Sequence, residues 1–314
     1  MRLRALGCHV FAGGMTVGVR EHFDIVGHLE AGPFGAETAR KNLDIPVWDK
    51  PVDWPLDSVT GLDLLYGNPA CSGWSPLNLW HNGPKSKQND GIRQFLHTAN
   101  VLRPRAVLLE SVRQLVGRGA EWLDQVDQPL RAVGYTRYKL LVNAADVSVP
   151  QVRRRVFVIW ALDDMMMFSQ LPAREPVTVG EVLARPGLNH QEFRQTKEDF
   201  LFKHVKPGKG LIDVDDEYLA RLPSVLRKKH ENMLHLHWPY RLDPAKPSRV
   251  VYSSWKYLHP VEDRLISLGE ASRLMGNPDD FIFYGKDKMA QCGKAVCPPI
   301  AAWVAGELER ELTR

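Results

Sequence analysis

One cysteine stands in a loop that suits chemistry better than packing. Cys71 lies in the run Gly67-Asn68-Pro69-Ala70-Cys71-Ser72-Gly73-Trp74-Ser75-Pro76, directly after the apolar segment Leu62 to Tyr66. Burial as a small apolar residue is the commoner fate of a free cysteine, but a Gly-, Pro- and Ser-rich loop is a poor place for it. A thiol at the C-terminal end of a parallel strand sits where open α/β sheets bind ligands. A nearby cation or helix N-terminus there lowers its pKa toward a reactive thiolate. The other cysteines, Cys8, Cys292 and Cys297, make no C-x-x-C unit, so neither structural zinc nor any other metal is expected.

A second signal precedes it. Phe11-Ala12-Gly13-Gly14-Met15-Thr16-Val17-Gly18 follows the first apolar run, and such a turn lets backbone approach a ligand closely. Glu30, at the end of the second apolar run, stands where a ribose-binding carboxylate would; a solvated strand end is the equal alternative from this residue alone.

The elements that must carry these loops read as an α/β protein. Strands are expected over Ala5 to Phe11, Ile25 to Leu29, Leu62 to Tyr66, Ala106 to Leu109, Tyr135 to Val142 and Val156 to Trp160. Phe34 to Leu43, Gly91 to Leu102 and Glu121 to Val133 have helical character between them, which predicts a doubly wound parallel sheet. From Met165 to Pro260 the pattern gives way to Pro, Lys, Arg, His and aromatic residues with enough Leu, Trp and Tyr for a minor core. Arg264 to Phe281 reads as helical, and Pro298 to Leu312 as an amphipathic helix returning to the sheet. The division expected is 1–164 catalytic and cofactor-binding, 165–260 a small second lobe, and 261–314 a returning segment.

Five motifs in order resemble the DNA cytosine-5 methyltransferase family. The Cys71 run resembles its G-x-P-P-C-Q-x-F-S motif, Leu109-Glu110-Ser111-Val112 its E-N-V motif, and Gln151-Val152-Arg153-Arg154-Arg155 its Q-x-R-x-R motif. Glu270-Ala271-Ser272-Arg273-Leu274-Met275-Gly276 with Pro278-Asp279-Asp280-Phe281 is similar to the segment after the target recognition region. Gln291-Cys292-Gly293-Lys294-Ala295-Val296-Cys297-Pro298-Pro299 resembles the closing Q-x-G-N-S-V-x-P-P motif. The resemblance covers nearly the whole chain except about 165–238.

It implies a Rossmann-like, S-adenosylmethionine-dependent fold with a small target recognition lobe. It also implies covalent chemistry in which a Cys71 thiolate adds to C6 of cytosine and makes C5 nucleophilic. By the same resemblance Glu110 holds the N3/N4 edge of the base, Arg153 holds O2 and keeps the thiol ionised, and Arg155 supports the loop. Phe11, Gly13, Gly14, Glu30, Asp49, Ser72, Lys294 and Ala295 are the expected donor-binding residues. A base inside a duplex is out of reach, so the target must be flipped out or unpaired. The polar stretch from Ser72 to Asp90 fits a loop closing over it, with Lys85, Lys87, Gln88 and, from the third motif, Gln151 toward the DNA.

The chain departs from the family in three places. The later glycines of the family's F-x-G-x-G-G motif are lost or shifted toward Gly18, the Gln after the nucleophile is Ser72, and the Asn of the last motif is Lys294. The last two positions lie, in the family, beside the donor's reactive end. A smaller residue at one and a cation at the other both point to a donor bearing a carboxylate. That donor is carboxy-S-adenosylmethionine, and the product 5-carboxymethylcytosine. Plain S-adenosylmethionine, with Lys294 turned to solvent or phosphate, is the other reading.

Double-stranded DNA is the expected partner, and the formal charge of +4 permits a polyanion without demanding one. No apolar run approaches a membrane span and no signal peptide is recognisable, so a cytoplasmic location without membrane contact is expected; a monomer is the expected state. An inactive DNA-binding homologue is disfavoured because Cys71, Glu110 and Arg153 are all present. An RNA cytosine methyltransferase is the other rival, and fold and catalytic residues do not separate the two nucleic acids.

Overall fold

The structure, a computed structural model, describes residues 2–31, 35–75, 83–163, 165, 174–188, 192–196, 199–221, 224 and 239–314. Strands β1 (Arg4–Cys8), β2 (Asp24–Leu29), β3 (Val47–Trp48), β4 (Leu64–Gly67), β5 (Ala106–Ser111), β6 (Thr136–Asn143) and β7 (Arg154–Ala161) form one sheet in the order β3-β2-β1-β4-β5-β7-β6. Alternating side chains feed the two faces: Leu6, Leu65, Val107 and Val158 enter one core, and Ala5, Leu64, Leu108 and Ile159 the other. This is the α/β, Rossmann-like layout expected.

One strand is reversed. β7 pairs antiparallel with both β5 and β6, whereas β1 to β5 pair parallel wherever they are neighbours. The link between β6 and β7 holds only a 3-10 turn, Ala144–Val147, and is too short for the crossover a parallel pair requires. The expected first strand stops at Cys8 because His9 and Phe11 both turn to φ 55. Glu121 to Val133 divides into helices Ala120–Val126 and Gln128–Arg131, where Pro129 begins the second. The Arg264 to Phe281 helix shrinks to Leu268–Leu274, started by a Ser267/Glu270 capping box and followed by Gly276 at φ 77. β3 was not foreseen; two residues carry no periodic signal.

Helix Gly14–Val19 follows β1 and lies against helix Pro298–Leu312. A Cβ at Gly18 would fall 2.2 Å from Pro298 O, so Gly18 serves this helix contact and not the ligand turn. A smaller core of Leu201, Phe202, Val205, Leu211, Val214, Leu258 and Leu265 lies between 199 and 265. Arg241 ties it together by donating to Phe202 O, Val205 O, His259 O and Glu262 O and pairing with Asp263. Lys203, Lys206 and Lys209 are exposed there, while Arg227, Lys228 and Lys229 lie outside the described residues. Among the described residues no helix is long and apolar enough to cross a membrane.

Candidate active site

The site is built where β1 and β4 run side by side and their loops begin in contact. A Cβ at Gly67 would fall 1.9 Å from Cys8 O, and the Asn68 N–H donates to His9 O at 3.2 Å. Glycine at 67 is therefore required by close backbone approach. The two loops open into the crevice at the C-terminal edge of the parallel strands.

On the β1 side the turn passes through His9 and Phe11 at φ 55 and Gly13 at φ 89. A Cβ at Gly14 would meet Val296 O at 2.8 Å, so the closing motif packs directly on this turn. The Phe11 N–H donates to the Glu30 carboxylate at 2.7 Å, and that carboxylate is buried at the end of β2. Lys294 is exposed, with Nζ 5.9 Å from the centroid of the Phe11 ring. Its neighbour Ala295 is buried. Asp49, just past β3, is directed to Arg40 at 2.9 Å, and this partner holds its carboxyl below the usual range. A shaped turn with a buried carboxylate fits a nucleoside carrying free hydroxyls.

On the β4 side Cys71 is half-buried and opens the 3-10 turn Ser72–Trp74. The expected lowering of its pKa is reversed in the free protein: burial raises it, and so does the charge of Glu110. The Ser111 hydroxyl, the Val112 amide and Arg155 act against that rise. Glu110, near the end of β5, is itself buried, and desolvation raises its pKa against the opposing charges of Arg155 and Arg153. Arg155 Nε lies 3.1 Å from Glu110 Oε1. The reversed strand explains this meeting. β7 begins where β5 ends, so Arg155 arrives at the same edge as Glu110.

The two arginines sit in different surroundings. Arg153 is buried and donates to Gly293 O at 3.2 Å, Ala295 O at 2.9 Å and, at 3.5 Å, Val251 O. It fastens the closing motif to the edge of the sheet, and burial and the Arg155 charge together lower its pKa to about 10. Arg155 is the arginine that faces Glu110. Gln151, expected at the DNA, is instead buried, donating to Leu274 O and accepting from Val251 N–H. Its amide organises the fold and presents nothing outward.

Lys85 and Lys87 are exposed on two 3-10 turns, Gly83–Lys85 and Lys87–Asn89. The Gln88 side chain accepts a hydrogen bond from the Ser72 hydroxyl. Residues 76–82 of the expected closing loop lie outside the described residues. Two contributors went unnoticed in the sequence. Ser111, inside the E-S-V run, supports the thiol. The Tyr252–Ser253 backbone passes within 2.6 Å of where a Gly293 Cβ would stand, so it packs directly on the closing motif. The glycine of the last motif was the signal for it.

The arrangement joins a half-buried thiol, a buried carboxyl whose pKa is raised and an arginine, beside a glycine-rich turn closed on a buried carboxylate. Type II methyltransferase M.NgoMIV of Neisseria gonorrhoeae is 26% identical over 337 residues, covering 100% of this chain and 99% of the relative. Type II methyltransferase M.MthTI of Methanothermobacter thermautotrophicus is 26% identical over 323 residues, covering 96% and 95%. The solved structure of Entamoeba histolytica methyltransferase EhMeth shares the fold, with a TM-score of 0.68 at 12% identity over 100% of both chains. The sequence model of the C-5 cytosine-specific DNA methylases matches residues 10–310, and the chain belongs to that family.

Proposed function

We propose that the protein alkylates C5 of a cytosine in double-stranded DNA through a transient Cys71 adduct. The observation that carries this reading is the grouping of Cys71, Glu110 and Arg155 at the adjoining ends of β4, β5 and β7. The target base is flipped out of the duplex to reach this edge.

Each residue has a task that follows from its surroundings. Cys71 Sγ bonds to C6 and gives up its proton first, helped by Ser111, the Val112 amide and Arg155. Glu110 meets the N3/N4 edge, where a carboxyl whose hold on a proton is strengthened by burial shares that proton with N3 as electrons move into the ring. Arg155 is released from Glu110 to hold O2, the role expected of Arg153, while Arg153 keeps the closing motif in place. Phe11, Gly13, Gly14 and Glu30 hold the donor's nucleoside portion. S-adenosylmethionine or its carboxylated form, when bound, supplies the electrophilic carbon. After transfer, with the S–C bond broken and the donor's sulfur released as a neutral thioether, the C5 proton is lost to solvent. N3 returns its proton to Glu110, and the C6–S bond breaks, restoring the thiolate.

Residues 165–260 are the recognition lobe on this reading, with Lys203, Lys206 and Lys209 toward phosphate; the protein acts as a monomer. A 5-fluorocytosine duplex with donor should trap a denaturation-resistant adduct with the wild type and none with Cys71→Ala. An undiminished adduct in the variant overturns the assignment.

The carboxylated donor is the finer part of the proposal. It is supported by the place of Lys294, whose ammonium sits over the Phe11 ring of the donor turn. An ammonium there repels a sulfonium unless an anion lies between them. Offered both donors at equal concentration, the enzyme should yield more 5-carboxymethylcytosine than 5-methylcytosine by nucleoside mass spectrometry, and Lys294→Asn should erase the preference. Product containing only 5-methylcytosine ends the carboxylated-donor reading and leaves plain methyl transfer.

A further inference from the structure

The turn that carries the nucleophile is held from across the loop. Cys71 caps the 3-10 turn Ser72–Trp74, with the Trp74 N–H donating to Cys71 O at 2.9 Å. Against it lies the turn Lys87–Asn89, itself capped by Ser86, whose hydroxyl accepts from the Gln88 N–H at 3.3 Å. The two turns fit so closely that a Cβ at Gly73 would stand 2.6 Å from Asn89 Oδ1 and 2.8 Å from Ser86 Cβ. Asn89 is in turn buried, donating to Gly83 O at 2.7 Å. Trp74, fully buried, leans on Trp122 at 5.5 Å and has its carbonyl held by Arg118 at 3.0 Å. Within this frame the one residue that follows the nucleophile, Ser72, donates its hydroxyl hydrogen bond to Gln88.

From this geometry we infer that Gln88 is a positioning residue: its carboxamide, bound to Ser72, sets the orientation of Cys71 and couples it to the Lys85–Lys87 face. Gln88 is flanked by Lys87, which is exposed toward the surface expected to meet phosphate. A shift of the Lys87–Asn89 turn on engaging a polyanion is passed through the Ser72–Gln88 bond to the residue next to sulfur. The family's motif, as matched above, has a Gln directly after the nucleophile. In this chain a carboxamide reaches the same neighbourhood from residue 88, so attack on the base depends on the far side of the loop being in place. The inference rests on Cys71 being the nucleophile.

The test is the rate of adduct formation on the 5-fluorocytosine duplex in single turnover, together with duplex affinity and melting temperature. Gln88→Ala and Ser72→Ala should each slow the adduct about 10- to 100-fold, the scale of a misplaced reacting group. Duplex affinity and melting temperature should change little. The double variant should be no slower than either single one, because both remove the same bond. Ser72→Gln combined with Gln88→Ala should recover most of the rate by returning the carboxamide to the main-chain neighbour of Cys71. Full adduct rate with weakened duplex binding in Gln88→Ala would overturn the inference and make Gln88 a DNA contact only. Additive losses in the double variant would overturn it equally. No adduct with the wild type would instead refute the proposed nucleophile itself.

Discussion

Acid should weaken this fold well above the pH at which its carboxylates protonate, and two histidines set the size of the effect. His28 is fully buried between helix Gly14–Val19 and β4, with Nε2 bonded to the Thr16 hydroxyl at 2.6 Å and the Tyr66 hydroxyl at 3.4 Å. No carboxylate is among these partners, and burial lowers its pKa from 6.5 to about 3. His9, edge-on to Trp54 at 5.7 Å, is likewise lowered from 6.5 to about 4, chiefly by burial. Each stays neutral in the fold and takes up a proton once unfolded. The stabilisation is complete above pH 6.5 and is lost as pH falls from there toward the folded values. Per histidine the slope approaches about 1.4 kcal/mol per pH unit, so between pH 7 and pH 5 each costs about 2 kcal/mol and the pair about 4. That is a large share of a stability of roughly 5–15 kcal/mol. His259, lowered by partial burial, adds in the same direction, while the raised carboxyl of Glu110 acts against it. The assay is urea unfolding at pH 7, 6 and 5. His28→Gln retains a neutral partner for Thr16 and should cut the loss from about 4 to about 2 kcal/mol. An unchanged pH dependence in that variant would refute the reasoning.

Three further outcomes follow from the site. Glu110→Gln should lower turnover by roughly 10²- to 10⁴-fold, the range for a positioned acid, with donor binding kept in a calorimetric titration. Arg153→Ala should destabilise by about 3 kcal/mol or more because it frees buried carbonyls of the closing motif, whereas Arg155→Ala should spare the melting temperature and lower the rate. Neutralising Lys203, Lys206 and Lys209 together should weaken binding to all duplexes alike and flatten the slope of affinity against salt by up to about three units.

Legibility in the sequence followed distance along the chain. The alternation of β1, β4, β5 and β7 was plain because each is a run of apolar residues buried on both faces of the sheet. Cys71 and Glu110 were legible because each sits just past or near the end of such a run. The different surroundings of Arg153 and Arg155 were not, since Arg153 lies just before β7 and Arg155 within it, and what stands opposite each is not written in the motif. Their partners, Gly293 O and Glu110, come from remote segments. Gln151 misled for the same reason: a polar residue in a motif looks outward until Leu274 and Val251 are brought to it. The reversal of β7 depended on a linker length that a parallel reading of apolar runs ignored.

The contact of Gly67 with Cys8 makes the sheet a ruler. Adjacent strands are held about 4.8 Å apart by their ladder of hydrogen bonds, and a spacing set by backbone does not drift with side-chain substitution. Because the proposed donor turn leaves β1 and the proposed nucleophile turn leaves β4, the gap between the two reactants is inherited, on this proposal, from that ladder and not from the proposed recognition lobe. Such a lobe can be shortened, exchanged or re-addressed to another target while the bond-making distance stays as it was.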